Sequence, residues 1–190
     1  FVTDEIIKFY VAMGRSGVGI VTVGATAVSK EGGSTKNGMH IGPKKYEAGL
    51  SKLASELQST GALASLQVFH VGAQGNTFYT NKPVLGPSPY ICPDIGIKAK
   101  KLTLKQIGRN ENDFAKAIIS GIKCGFNFVE LHVAHGYLLH EFLSPYFNHR
   151  TDDYGGSEYN RLRIFRNIAE KTTAIKSNAF SKVGFRISGN

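Results

Sequence analysis

The residues best suited to chemistry lie in one short stretch, residues 130–137, which reads ELHVAHGY. It brings two imidazoles, those of His132 and His135, and the phenol of Tyr137 to the end of an apolar run. Two imidazoles and a phenol that converge on one pocket can polarise a carbonyl group and deliver a proton. Two alternatives stay open, because a buried histidine often only pairs with a backbone carbonyl and histidines are also common metal ligands. Since no third ligand is obvious, no bound metal is expected.

Single polar side chains also stand in two other apolar runs, ALASLQVFH at residues 62–70 and VGFRIS at residues 183–188. The amide of Gln67 offers a donor and an acceptor, which suits the edge of a pyrimidine ring as well as it suits backbone groups. The cation of Arg186 needs an anionic or electron-rich partner, and a ligand or a buried carboxylate would serve. Both side chains are therefore candidates for ligand binding.

The order of the apolar runs predicts the elements that position these residues. Short β-branched runs alternate with longer amphipathic stretches, which is typical of repeated βα units around a parallel sheet. We predict strands over residues 18–28, 62–70, 126–133 and 182–187. We predict helices over residues 46–60, over 103–124 with a start near Asn110, and over 157–176 with Ser157 as the N-cap, and a short helix within the loop 134–156. The fold class is therefore α/β.

Ligands bind at the carboxyl ends of the strands in such folds. The polar side chains expected at these ends are Gln67, His70, Glu130, His132 and Arg186. The loop at residues 72–102 is long and rich in Gly and Pro, which indicates a functional segment. A doubly wound sheet stays open, although no G-x-G-x-x-G fingerprint follows the first strands.

The turn at residues 150–157, RTDDYGGS, leads into the last predicted helix. Its charged side chains are expected to be structural, with Arg150, Asp152 and Arg161 tying the loop to the helix that follows rather than touching a substrate.

The composition favours a soluble protein with one globular domain over residues 1–190, because 42% of the residues are hydrophobic and 19% are charged. A net charge of +9 raises the question of nucleic-acid binding. The lysines are scattered, and their densest run, at residues 98–101, lacks interleaved aromatic residues, so no nucleic-acid partner is expected. Two cysteines make no disulfide framework, and no apolar run is long enough for a bilayer. We therefore expect a cytoplasmic location and no membrane partner.

One long segment carries a family resemblance. Residues 125–163, GFNFVELHVAHGYLLHEFLSPYFNHRTDDYGGSEYNRLR, resemble the signature of the old yellow enzyme family of FMN oxidoreductases, in particular its bacterial ene-reductase and 2,4-dienoyl-CoA reductase branch. Residues 24–28, 67–72 and 184–188 agree with it in order and spacing. The resemblance implies a (β/α)8 TIM barrel, of which this chain is an incomplete part that covers about strands 2 to 5, the middle portion.

The same resemblance implies FMN as cofactor, NADH or NADPH as reductant, and a small-molecule enone or enoyl substrate whose C=C bond is reduced. His132 and His135 would bind the substrate carbonyl oxygen, and Tyr137 would protonate the adjacent carbon. The residues implied in cofactor binding are Ala25 against the flavin, Gln67 at its pyrimidine edge and Arg186 beside the reduced ring.

Two other functions and two further questions stay open. The partial barrel could instead be non-catalytic and serve as an assembly or interaction domain, or the two histidines could belong to a metal-dependent hydrolase. The sequence also leaves a homo-oligomer open. Where many relatives carry a basic pair, this chain has Ala73 and Gln74, so its substrate preference is not set by the resemblance.

Overall fold

The computed structural model describes residues 1–189. Its elements are α1 (Asp4–Arg15), β1 (Ile20–Ala27), β2 (Met39–His40), α2 (Glu47–Gln58), β3 (Leu63–Phe69), α3 (Thr77–Thr80), β4 (Leu85–Gly86), β5 (Tyr90–Ile91), β6 (Lys98–Lys101), α4 (Leu104–Lys123), β7 (Phe128–Val133), α5 (Leu138–Leu143), α6 (Glu158–Arg161), α7 (Arg163–Ile175) and β8 (Val183–Ile187). Short 3-10 helices lie at Lys44–Tyr46, Gly72–Gln74 and Ala179–Lys182.

The main sheet has five parallel strands in the order β2-β1-β3-β7-β8. A second, three-stranded sheet of β4, β6 and β5 lies within the loop at residues 72–102, where no strand was predicted. The four long strands agree with the predicted strands. Within residues 1–189, no helix combines the length and the apolar character needed to cross a membrane.

The two faces of the main sheet differ in chemistry. Side chains alternate along a strand, so Leu66 and Val68 of β3 point to one face and Gln67 to the other. Leu66, Val129 and Leu131 are fully buried in a core shared with helix residues such as Leu53 and Phe114. The helices therefore cover one face, and the polar side chains share the opposite face.

The structure corrects the start of α4. The helix begins at Leu104 and not near Asn110, because Thr103 and Gln106 form a capping box. The Gln106 N–H donates to the Thr103 hydroxyl at 3.2 Å, and the Thr103 N–H donates to the Gln106 side chain at 2.8 Å. Asn110 is instead a buried residue well inside the helix.

The predicted helix at residues 157–176 is two helices, α6 and α7, separated at Leu162. Its predicted N-cap is confirmed, since the Ser157 hydroxyl accepts a hydrogen bond from the Asn160 N–H at 3.2 Å. Helix α1 was not predicted, although Thr3 caps it and Asp4 and Glu5 lie in its first turn.

The predicted partners of Arg150 were partly wrong. Its side chain, 1% exposed, makes two hydrogen bonds to Asp152 of the same turn. It also donates to the carbonyl oxygens of Pro87 and Leu102, both at 2.8 Å. Arg150 therefore ties its turn to the middle and the end of the preceding long loop. Arg161 instead donates to the Gly156 carbonyl just before α6 and to the Leu143 carbonyl at the end of α5.

Candidate active site

The pairing register of β3, β7 and β8 brings the predicted polar residues close together. Gln67 of β3 lies opposite Glu130 of β7, and His132 of β7 lies opposite Arg186 of β8. Glu130 and His132 are two residues apart and therefore share a face. All four side chains thus belong to the face of the sheet that the helices leave free, towards its carboxyl edge.

The two histidines are in contact. His132 Nε2 lies 3.3 Å from His135 Nδ1, and the rings meet edge to face with centroids 5.0 Å apart. His135 can fold back towards His132 because its φ is +59° and the next residue, Gly136, has φ +73°. The Ser188 hydroxyl accepts from the His135 N–H at 3.2 Å, and the Gln74 amide donates to the His135 carbonyl at 2.5 Å. The backbone of His135 is thus held from both sides.

The charge state of His132 follows from its surroundings. The residue is 3% exposed, and burial, with smaller contributions from His135 and Arg186, lowers its pKa to about 4. His132 is therefore neutral at neutral pH. Whichever ring donates in the contact between them, His132 and His135 together keep at least one further ring N–H, so the pair can still donate to a ligand oxygen.

Tyr137 stands beside the pair at the start of α5. Its ring centroid is 4.9 Å from that of His132 and 5.3 Å from that of Phe69. None of the hydrogen bonds within residues 1–189 involves its hydroxyl group, which is free to act on a ligand. The three residues of the predicted carbonyl site therefore lie together.

The end of β1 lies next to Gln67. A Cβ atom on Gly24 would come within 3.1 Å of Gln67 Oε1, so the two strands approach closely where Ala25 follows. Gln67 Nε2 donates to Glu130 Oε1 at 2.6 Å. The Tyr10 hydroxyl donates to the Gly24 carbonyl at 3.0 Å and accepts from the Gly24 N–H at 3.1 Å, a clamp that the sequence analysis missed.

His70, also expected at a strand end, is buried against the turn that follows β3. It is 3% exposed, and its Nδ1 accepts from the Gly72 N–H at 3.1 Å. Burial lowers its pKa to about 4, so the ring is neutral. Its Nε2 is buried and has no hydrogen-bond partner within residues 1–189.

A buried carboxyl group supports the same turn. Glu141 of α5 is 1% exposed, and its Oε1 accepts from the Ala73 N–H at 2.7 Å, while its Oε2 has no hydrogen-bond partner. Burial raises the pKa of Glu141 well above its usual value. Through this turn, which carries Gln74, Glu141 positions the backbone of His135.

The side chains of this region that could bind a metal do not form a metal centre within residues 1–189. Among residues 1–189, no group of three or more His, Cys, Asp or Glu side chains is arranged to hold a metal ion. The His132 and His135 pair therefore has no third protein ligand in the part of the chain that is described.

A parallel sheet with helices on one face and converging polar side chains at its carboxyl edge defines a partial (β/α) barrel, and the carboxyl edge is where such barrels carry their ligand sites. The chain belongs to the NADH:flavin oxidoreductase / NADH oxidase family, whose sequence profile matches residues 1–190.

Individual relatives agree with this assignment. The chain is 30% identical over 166 residues to an NADPH dehydrogenase of Bacillus subtilis, covering 87% of this chain and 48% of that protein. It is 35% identical over 176 residues to an NADH oxidase of Thermoanaerobacter brockii, covering 89% of this chain and 27% of that protein. The chain thus spans about half the length of the first relative and less of the second.

Solved structures show the same fold. The old yellow enzyme homologue from Zymomonas mobilis superimposes with a TM-score of 0.88 at 28% identity, covering 98% of this chain and 54% of that one. The old yellow enzyme from Pichia sp. AKU4542 superimposes with a TM-score of 0.87 at 27% identity, covering 97% and 50%. The predicted family and the predicted incomplete TIM barrel are therefore confirmed.

Proposed function

We propose that the protein is an FMN-dependent oxidoreductase that uses NADH or NADPH to reduce the C=C bond of α,β-unsaturated carbonyl compounds. The observation that carries this proposal is the contact of His132 with both His135 and Tyr137 on the polar face of the sheet. A pair of imidazoles can donate to a carbonyl oxygen, and a phenol at its side can supply a proton.

The residues near the end of β1 suit a flavin. Gln67 Oε1 accepts no hydrogen bond within residues 1–189, and the missing Cβ of Gly24 leaves room beside it. Arg186 forms no ion pair in that part of the chain, so its cation has no protein carboxylate as partner. Ala25, Gln67 and Arg186 would hold the flavin, which supplies the hydride when it is bound.

The chain's own residues would carry out the other two tasks, which are polarisation of the substrate carbonyl group and donation of a proton. The N–H that the histidine pair keeps donates to the substrate carbonyl oxygen, which draws electrons from the conjugated C=C bond. The distal carbon of that bond accepts the hydride, and the Tyr137 hydroxyl gives its proton to the adjacent carbon. The product gains one hydride and one proton, as reduction of a C=C bond requires.

The direct test of this proposal is the colour and reactivity of the intact protein. We expect it to be yellow as purified, and we expect an enone to reoxidise its reduced cofactor. A colourless protein that gains no flavin on reconstitution would instead favour the non-catalytic assembly or interaction domain.

His132→Ala should weaken the binding of phenols and enones while flavin stays bound, because the imidazole touches the substrate. Loss of one hydrogen bond of this kind costs about 1.5 kcal/mol, or roughly tenfold in Kd. Titration of a phenol, followed by the flavin absorbance, measures the effect. An unchanged Kd would remove His132 from the substrate site.

Arg186→Met keeps much of the side-chain volume but removes the charge. We expect the reduction potential of the bound cofactor to fall, because the cation stabilises negative charge on its reduced form. For a two-electron couple, about 30 mV corresponds to about 1.4 kcal/mol. A potentiometric titration of the intact, flavin-loaded protein that gives the same or a higher potential would end the assignment of Arg186 to the cofactor.

A further inference from the structure

A cavity of about 1120 Å³ opens outside the candidate active site. Its walls come mainly from the loop after β1, from the segment from β2 to the 3-10 helix at Lys44–Tyr46, and from α4. Residues of the N-terminus, of α3 and of the end of α7 complete them. None of Gln67, His132, His135, Tyr137 or Arg186 lines it. Its volume lies at the upper end of the range for small-molecule sites, so a single phosphate ion would leave most of it empty.

The charged side chains around this cavity are mostly positive. Four lysines line it, namely Lys30, Lys36, Lys45 and Lys116, against the single carboxyl group of Asp113. None of the four lysines forms an ion pair within residues 1–189. Burial raises the pKa of Asp113, while the neighbouring Lys116 and Arg109 act to lower it. Unpaired cations on the wall of a concave site concentrate a positive potential there, which attracts an anion.

Small polar groups and flat rings complete the wall. Hydroxyl groups of Ser29, Thr35 and Ser120 line the cavity and can donate to anionic oxygens. The rings of His40 and Tyr46 stack with centroids 5.8 Å apart and an interplanar angle of 26°. A ligand that combines a phosphate group with a planar heterocycle matches both features.

We propose that this cavity binds a nucleoside diphosphate, or the same moiety of a larger coenzyme. The phosphates would lie against the lysines and hydroxyls, and the base would lie near the His40 and Tyr46 rings. The Lys45 ammonium lies 5.0 Å from the centroid of the Tyr46 ring, so the cationic and aromatic parts of the wall adjoin. The site is separate from the proposed carbonyl reduction and does not depend on it.

Isothermal titration of the intact protein with ADP, and in parallel with inorganic pyrophosphate, tests this proposal. We expect ADP to bind about tenfold more tightly than pyrophosphate, because base stacking adds to the phosphate contacts. Lys45→Gln and Lys116→Gln should each weaken ADP binding about fivefold, and the double variant about 25-fold. Lys105→Gln is the matched control, since this exposed lysine of the same helix α4 does not line the cavity.

Two further measurements keep the outcome clear. ADP binding by the unaltered protein should weaken as the salt concentration rises, a result that needs no variant to fold. His132→Ala should leave the Kd of ADP unchanged. Equal affinity for pyrophosphate and ADP would overturn the nucleotide assignment, and lysine variants that bind like the unaltered protein would overturn the site. Loss of ADP binding in His132→Ala would place ADP in the candidate active site and end the proposal.

Discussion

Replacing Tyr137 by Phe is expected to lower the turnover of an enone by the intact protein by about 100-fold or more. Proton transfer by a positioned side chain contributes roughly 10² to 10⁴ in rate, and Phe removes only the hydroxyl that would supply the proton. The ring contacts with His132 and Phe69 are kept, so the fold and the neighbouring imidazole are undisturbed. Reduction of the bound cofactor by NADH or NADPH should continue at its original rate, because that step uses no proton from Tyr137.

Stopped-flow measurement of the two half-reactions separates these effects. Tyr159→Phe is the matched control, since Tyr159 is 67% exposed on α6 and has no contact with the candidate active site. A Tyr137→Phe variant that reoxidises with an enone as fast as the unaltered protein would show that the proton comes from another source, such as solvent.

Arg150→Met should lower the free energy of unfolding by about 3 to 5 kcal/mol, which is the cost of removing one partner from a buried ion pair. The guanidinium group is 1% exposed and joins Asp152 to the carbonyl oxygens of Pro87 and Leu102. Met fills similar space, but it leaves the carbonyl oxygens of Pro87 and Leu102 without this donor, and of the hydrogen bonds to the Asp152 carboxylate only that from the Tyr154 N–H remains. Arg150→Lys should recover only part of the loss, because an ammonium group cannot reproduce the planar fork that binds Asp152 through two nitrogens.

Urea unfolding followed by circular dichroism measures these differences. Arg109→Met provides the control, because Arg109 is exposed on α4 and forms no ion pair within residues 1–189. If the two Met variants unfold at the same urea concentration, Arg150 does not hold the long loop in place.

The long strands were predictable because each is a short apolar run that the sheet buries. The start of α4 was misplaced because the apolar spacing around Phe114 outweighed the local signal of Thr103 and Gln106, which lies on the polar side of the helix. Thr3 before Asp4 and Glu5 is a similar local signal at the start of α1. A helix cap depends on a few neighbouring residues, so both helix starts are predictable from the local sequence.

The residues of the candidate active site were predictable from their types, but the hydrogen bonds that they make with other residues were not. Gln67 meets Glu130 across 63 residues of sequence, and Tyr10 reaches Gly24 from another element. Such pairs depend on strand register and on helix placement, which no local pattern encodes. Glu141 gave no signal either, since a carboxyl group within a helix usually faces solvent and this one is buried.

The strand order also sets a sequence of events during folding. The strands β1, β3, β7 and β8 are neighbours in space in the same order as they follow in the chain, so each βα unit can dock on the one made before it. Strands β3, β7 and β8 each pair with the long strand that precedes them in the chain, so the partner is already present when each one forms. Gln67 and Glu130 can meet as soon as β7 has paired with β3, but Arg186 and Ser188 come with β8. A growing chain therefore completes the support of His135 only at the last of these additions.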